Sequence, residues 1–272
     1  AAADRAIAGA AEMWQDLLDK SAVTSSQPDF DLMNSTWLPY QAISGRLWGR
    51  TGYYQQSGAF GFRDQLQDSQ VWLTLDPIKC REQIRLHARH QFVDGSVYHW
   101  WHALANFGNH TACSDDYLWL PFLVAQYLKE TGDFSALSRH APFVDDPKGA
   151  TLLDHCKRSI ARTFKRTSAR GLPFIGSCDW NDGLSAMGID EKGESVWLGM
   201  FLCTILDDWA IILDRIGEKP LCYGELPGGG VVFGSTLDAL RVRRFHVFGQ
   251  HTGANLAGEL ALRHPSRVRS VM

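Results

Sequence analysis

Apolar residues recur at three- and four-residue steps along much of the chain, the spacing of one face of an α-helix. On this basis six helices are predicted before about residue 216. They are about Asp4–Leu18, about Thr36–Arg50, Pro77 to about Phe92, a helix opening at Ser114–Asp115, one around Leu153 to Phe164, and about Glu194–Ile216. Pro77 suits a first helical turn, where its missing N–H is no loss. Ser114–Asp115 reads as an N-cap; Leu118, Phe122, Ala125 and Leu128 share the face that follows, and Gly132 ends the helix. Leu153, Cys156, Ile160 and Phe164 form the stripe of the fifth helix. The sixth is apolar nearly all round and is predicted to be an inner, buried helix. No stretch here alternates with period two, so the first 216 residues read as all-α.

After residue 216 the pattern changes. "GEKPLCYGELPGGGVVFG" is rich in Gly and Pro and reads as a linker over 217–234. The remainder, 235–272, runs short apolar strand, Gly turn, amphipathic helix, Pro, strand, which is a βαβ order. The apolar run "VWLGMFLCTIL" stops at Asp207–Asp208, too short to span a bilayer, so no membrane insertion is expected.

Composition narrows the function classes. The apolar share is 45 %, enough for a sizeable core. A formal net charge of −3 argues against a nucleic-acid binder, which needs a clustered basic face. Cys80, Cys113, Cys156, Cys178, Cys203 and Cys222 show no paired or metal-like spacing. Reduced thiols and a cytoplasmic location are therefore expected, as is the absence of a signal peptide, because "AAADRAIAGAAEMW" carries charge where an apolar core would sit. The Trp residues fit either packing or sugar stacking.

The chemistry-bearing residues lie between the helices. "GSCDWNDGLSAMG" from Gly176 sets Asp179, Trp180, Asn181 and Asp182 side by side on what reads as a loop. One of two close carboxylates can remain protonated and act as a general acid, with a Trp as apolar wall or sugar platform. An Asx-rich turn is the plainer alternative; a calcium loop fits poorly, because the alternating carboxylate ladder is absent. "GFRDQLQD" supplies Arg63, Asp64, Gln67 and Asp68, a guanidinium fork with carboxylates and an amide that can pair with sugar hydroxyls, or a structural ion pair at a helix start. "YHWWH" supplies His99, Trp100, Trp101 and His102; the two His lack an evident third metal ligand, so no metal is expected. Asp115 and Asp116 suit a charged helix N-terminus.

The ordered set "GFRDQLQD", "QFVDGSVYHWWH", "SDDYLWLP", "GSCDWNDG" and "GESVWLGMFL", over about residues 30–215, resembles the inverting disaccharide phosphorylases of glycoside hydrolase family 94. That family includes cellobiose and chitobiose phosphorylases and the phosphorylase-like domain of cyclic β-1,2-glucan synthases. The resemblance implies an (α/α) toroid of six helical hairpins, of which 1–216 would be part. It implies Asp182 as general acid, and Arg63, Asp64, Asp68 and Trp180 in the subsite of the transferred glycosyl unit. Gln67, Asn181, Trp100 and Trp101 join these as candidate substrate contacts. No cofactor is implied: inorganic phosphate is the co-substrate, and a β-linked glucan or disaccharide is the partner. The family's phosphate-binding His and later Thr-Gly segment have no match here.

The tail resembles an α/β-hydrolase nucleophile elbow, with "GQHTG" placing His251 where the family has Ser. The expectation is a mainly α fragment, a partial toroid followed by a small βα segment, with exposed apolar surface favouring self-association. Two readings stay open beside phosphorolysis. One is an inverting hydrolase, using Asp115 or Asp116 as base; the other is a non-catalytic sugar-binding module.

Overall fold

The computed structural model of the chain describes residues 1–48, 58–105 and 107–217, together with the backbone of four strands beyond them. The chain divides into two compact units: residues 1–111 with 119–158, and residues 112–118 with 159–272.

The first unit opens with α1 (Ala2–Leu18). An uninterrupted helical stretch follows, comprising α2 (Pro28–Leu32), a π-helical turn (Met33–Trp37), α3 (Leu38–Tyr40) and a second π-helical segment (Gln41–Trp48). Helix thus begins ahead of the predicted Thr36, at a Pro suited to a first turn. Widening to π geometry is uncommon and recurs at functional sites.

"GFRDQLQD", read as a connection, is instead helix α4 (Phe62–Asp68), followed by α5 (Val71–Leu75) and α6 (Pro77–Ala88). Asp76 caps α6 by accepting from the Lys79 N–H, and Pro77 occupies the first turn as predicted. Helix α7 (Trp119–Thr131) packs on α4, α5 and α6. Leu120, Leu123, Val124, Leu66 and Ile84 are among the fully buried side chains of this core.

The reading of 1–216 as all-α needs correction. A three-stranded antiparallel sheet runs β1 (Ala59–Gly61), β2 (Trp100–His102), β3 (Phe107–Asn109). A two-residue pair, β4 (His140–Ala141) with β5 (Ala150–Thr151), lies further on. These strands are too short for alternation to show.

Helix α8 (Leu152–Lys165) carries an unexpected stripe. Its fully buried residues include His155, Ser159 and Thr163 beside Cys156, while the apolar Leu153, Ile160 and Phe164 are half-buried. His155 is held in the first unit, with its ring nitrogens 2.6 Å from Gln91 Oε1 and 3.0 Å from the Ala141 carbonyl.

In the second unit, α9 (Val196–Arg215) buries one face through Leu198, Leu202, Ile205, Leu206, Trp209 and Ile212. The prediction of burial all round fails, since Val196, Met200 and Ile211 are exposed. At 20 residues α9 is long and apolar enough to cross a membrane, so the short apolar run understated it. Of its apolar window, 33 % is buried within the structure.

Beyond it, a four-stranded sheet has the order β7-β6-β8-β9. Strands β6 (Cys222–Glu225) and β7 (Val231–Gly234) fall in the stretch read as a linker. Strands β8 (Phe245–Val247) and β9 (Val268–Val271) pair in parallel. The elbow-like "GQHTG" with His251 lies outside the described residues.

Two core histidines make stability pH-dependent. Burial pushes the His87 pKa down to about 3, against the opposing hydrogen bond to the Gln83 carbonyl. Burial likewise lowers that of His155. Both take up protons more readily when unfolded. For both, the contribution is therefore complete above the ordinary His value of about 6.5 and is lost as pH falls, for His87 toward about 3. Urea midpoints are expected to drop steadily from pH 7 to pH 4.5, and His87→Leu should flatten part of that slope. A slope unchanged by the substitution would refute the assignment to His87.

Candidate active site

In the first unit, the pitch of α4 places Asp64, Gln67 and Asp68 on one face, because residues three and four apart are neighbours. Arg46, from the π-helical segment, spans the two carboxylates. Its Nη1 is 3.1 Å from Asp64 Oδ2 and its Nε is 3.3 Å from Asp68 Oδ2. The backbone of Arg46 is also held, since Gln65 Nε2 donates to its carbonyl at 3.3 Å and Gln83 Nε2 donates to Gln65 Oε1 at 2.9 Å. Burial raises the Asp68 pKa and Arg46 opposes the rise. Arg63, by contrast, is buried. Arg46 was not singled out by the sequence reading; the only signal for it was a basic residue on a helix preceding an acidic one.

Gln67 and Asp68 help line an open cleft of about 460 Å³, with Ser21, Asn34, Gln70 and Thr74. Val23, Leu38, Pro39, Ala42 and Val71 share this shallow lining, so apolar surface lies beside hydroxyls, amides and a carboxylate that can pair with sugar hydroxyls.

The two Trp of "YHWWH" part company. Strand β2 pairs with β1 so that Trp101 lies opposite Phe60 and Trp100 opposite Gly61. Successive side chains of a strand point to opposite faces. Trp101 is 1 % exposed, stacked on His90 at 3.9 Å and set edge-on to His87 at 5.1 Å. It also lines a cavity of about 400 Å³ beside His90, Tyr98 and Phe143, and its burial weighs against a role as a substrate contact. Trp100 is half-buried and faces His102 at 5.4 Å. His99 lies in a bend just before β2, and His102 ends the strand.

In the second unit, the segment from Gly176 is fastened at its base. Gly176 adopts φ +64° with the Ala112 carbonyl against it, a position where a Cβ would clash. The Ser177 N–H donates to the Ala112 carbonyl at 3.1 Å, and the Ser114 N–H to the Cys178 carbonyl at 2.8 Å.

Cys113 and Cys178 form a disulfide, which corrects the expectation that all the cysteines are reduced. Their separation of 65 residues hid the pairing, which arises because Cys113 and Gly176 are bridged as neighbouring extended segments. The two sulfurs and an Asp182 carboxylate oxygen lie within 4.8 Å of one another. Sulfurs joined to each other are not thiolates and do not offer a metal site. Under denaturing conditions iodoacetamide is expected to label Cys113 and Cys178 only after reduction. Reduction should also destabilise the chain, by about 4 kcal/mol for a loop of this length. Labelling of either residue before reduction would refute the bridge.

The carboxylates of the loop are sorted by position. Asp179 is buried, its Oδ1 accepting from the Asn181 N–H at 2.8 Å and its Oδ2 from the Ser195 hydroxyl at 2.6 Å. Asp182 is exposed at the start of a 3-10 segment (Asp182–Glu191). Asn181 caps that segment, its Oδ1 accepting from the Gly183 N–H at 3.2 Å. Trp180 is 51 % exposed and its ring lies 6.3 Å from that of Trp197. The loop thus offers solvent one carboxylate and one indole, and holds the other carboxylate inside.

Comparison with known proteins bears on this arrangement. The catalytic-domain profile of the glycosyl hydrolase 94 superfamily matches residues 13–221. The chain is 38 % identical over 218 residues to the cyclic beta-(1,2)-glucan synthase NdvB of Rhizobium meliloti, covering 74 % of this chain and 8 % of that protein. It is 33 % identical over 150 residues to solabiose phosphorylase of Paenibacillus borealis, covering 55 % of this chain and 19 % of that protein. To N,N'-diacetylchitobiose phosphorylase of Vibrio furnissii it is 25 % identical over 236 residues, 76 % of this chain and 28 % of that one. The matched part of the chain therefore spans less than a third of the length of each of these relatives.

Proposed function

Because the chain belongs to the glycosyl hydrolase 94 superfamily, we propose that it carries the acid loop and part of the glycosyl subsite of an (α/α) toroid. The proposed reaction is inverting phosphorolysis, or glycosyl transfer, on a short β-glucan. The observation that supports this most directly is the sorting of the loop carboxylates, with Asp182 and the Trp180 ring at the surface and Asp179 engaged inside. Asp182 gives its proton to the glycosidic oxygen as the bond from that oxygen to the anomeric carbon breaks. A phosphate oxygen bonds to the same carbon from the opposite face. The products are an α-sugar 1-phosphate and a shortened sugar. Phosphate is already an anion, so no second carboxylate is needed to activate it, whereas water would need one. Arg63, Asp64, Gln67, Asp68, Trp100, Trp180 and Asn181 are the proposed sugar contacts, with Arg46 added as the group that neutralises the acidic pair.

The hydrolase reading loses support, since Asp115 and Asp116, its candidate bases, are 0 % and 2 % exposed. No cofactor and self-association through the exposed side of α9 belong to the same proposal; a cytoplasmic setting does too, although the Cys113–Cys178 disulfide removes the reduced-thiol argument for it. The test is incubation with cellobiose, laminaribiose and sophorose, with and without phosphate. Phosphate-dependent sugar 1-phosphate is expected. Free glucose without phosphate would favour hydrolysis, and silence alongside measurable sugar binding would reduce the chain to a binding module.

A further inference from the structure

The N-terminus of α9 and the acid loop share a buried hydrogen bond. Ser195 is the N-cap of α9, its Oγ accepting from the Leu198 N–H at 3.0 Å. The same hydroxyl donates to Asp179 Oδ2 at 2.6 Å, and Asp179 Oδ1 accepts from the Asn181 N–H at 2.8 Å. Both Asp179 and Ser195 are buried, at 5 % and 4 % exposure. One hydroxyl therefore serves a helix end with its lone pair and the loop with its proton. The arrangement places a carboxylate where the helix dipole favours negative charge. Ser195 is itself fastened, its N–H donating to the Pro173 carbonyl at 2.9 Å. Trp180 leans on Trp197 of the first turn of α9, and Trp197 stacks on Phe201 at 5.3 Å.

We infer that Asp179 and Ser195 are positioning residues: together they hold the Asp182 loop in register with the first turn of α9. Asp179 receives the loop backbone on one oxygen and the helix cap on the other. Asn181, whose N–H it fixes, in turn caps the segment that begins at Asp182. A displacement at Ser195 thus reaches Asp182 through two hydrogen-bonded steps. The motifs "CDWND" and "GESVWL" thus meet through this hydrogen bond. The catalytic consequence rests on Asp182 being the general acid; the mechanical one does not.

Hydrogen exchange on the full chain separates the two. Ser195→Ala and Asp179→Ala are expected to speed exchange of the Asn181 and Gly183 amides at least tenfold, while amides in the middle of α9 stay protected. Ser195→Thr, which keeps the hydroxyl, should restore the protection lost in Ser195→Ala. Ser195 lies outside the loop, so unchanged loop exchange in Ser195→Ala would overturn the inference. In turnover, Ser195→Ala should lower kcat with a disaccharide and phosphate by about tenfold, in line with the cost of small misplacements. It should leave KM near the parent value and spare glucosyl fluoride, which needs little protonation. Equal losses on both substrates would indicate general damage and count against positioning. If the parent chain forms no sugar phosphate, the proposed reaction falls, and the exchange data still decide whether the loop is held this way.

Discussion

Asp182→Asn is expected to abolish nearly all turnover of natural disaccharides, lowering kcat by about two to four orders of magnitude while sugar binding is spared. The amide has the size of the carboxyl and can still hydrogen bond, so the pocket keeps its shape. It has no proton to give to the departing oxygen. Asp182 is exposed and begins a 3-10 segment capped by Asn181, so the substitution removes no core packing and should leave the melting temperature near that of the parent. The loss should shrink with the basicity of the leaving group, becoming small for glucosyl fluoride. Steady-state kinetics on the two substrates, with a melting curve as control, make the measurement. Near-parental turnover of Asp182→Asn on a disaccharide would remove Asp182 from the role of acid. If Asp179→Asn were then the silent variant, the role would move three residues upstream, which its burial argues against.

Trp101→Ala is expected to cost about 3–5 kcal/mol of stability, the range for deleting a buried large aromatic side chain. The ring is 1 % exposed and sits among Phe60, Phe62, His87 and His90 at centroid distances of 5.9, 6.4, 5.1 and 3.9 Å. Removing it leaves a cavity where the β1–β2 pair meets α4 and α6. Urea denaturation should show a large fall in midpoint. Had Trp101 been a sugar platform, the same change would raise KM and leave the midpoint in place, so the two roles give opposite patterns. Trp100→Ala, on the half-buried side of the strand, should show the smaller stability loss of the pair. A parental midpoint for Trp101→Ala would refute its assignment to the core.

How much of this was legible beforehand differs from element to element. The helical period predicted α1, α6, α7 and α9 to within a few residues, because a helix is built from contacts three and four apart that a short window contains. It missed α4, whose seven residues show little apolar period, and the three-residue strands β1 to β3, of which β1 pairs with β2 some forty residues away and β2 with β3 close by, each too short for alternation to show. The family motifs were legible because they depend on residue identity and order, which require no knowledge of the fold.

By itself, then, the sequence determined the family and the largely helical character of the first 216 residues. Only the tertiary structure decided which member of each adjacent pair faces inward. Asp179 and Asp182 look alike on paper; a hydroxyl from Ser195 draws one inside. Trp100 and Trp101 are neighbours with opposite fates, set by the register of β2 on β1. Cys113 and Cys178 gave no spacing signal and meet across 65 residues. In each case the deciding partner is distant in sequence. Burial and pairing are fixed by the whole chain's packing, and local composition carries no record of it.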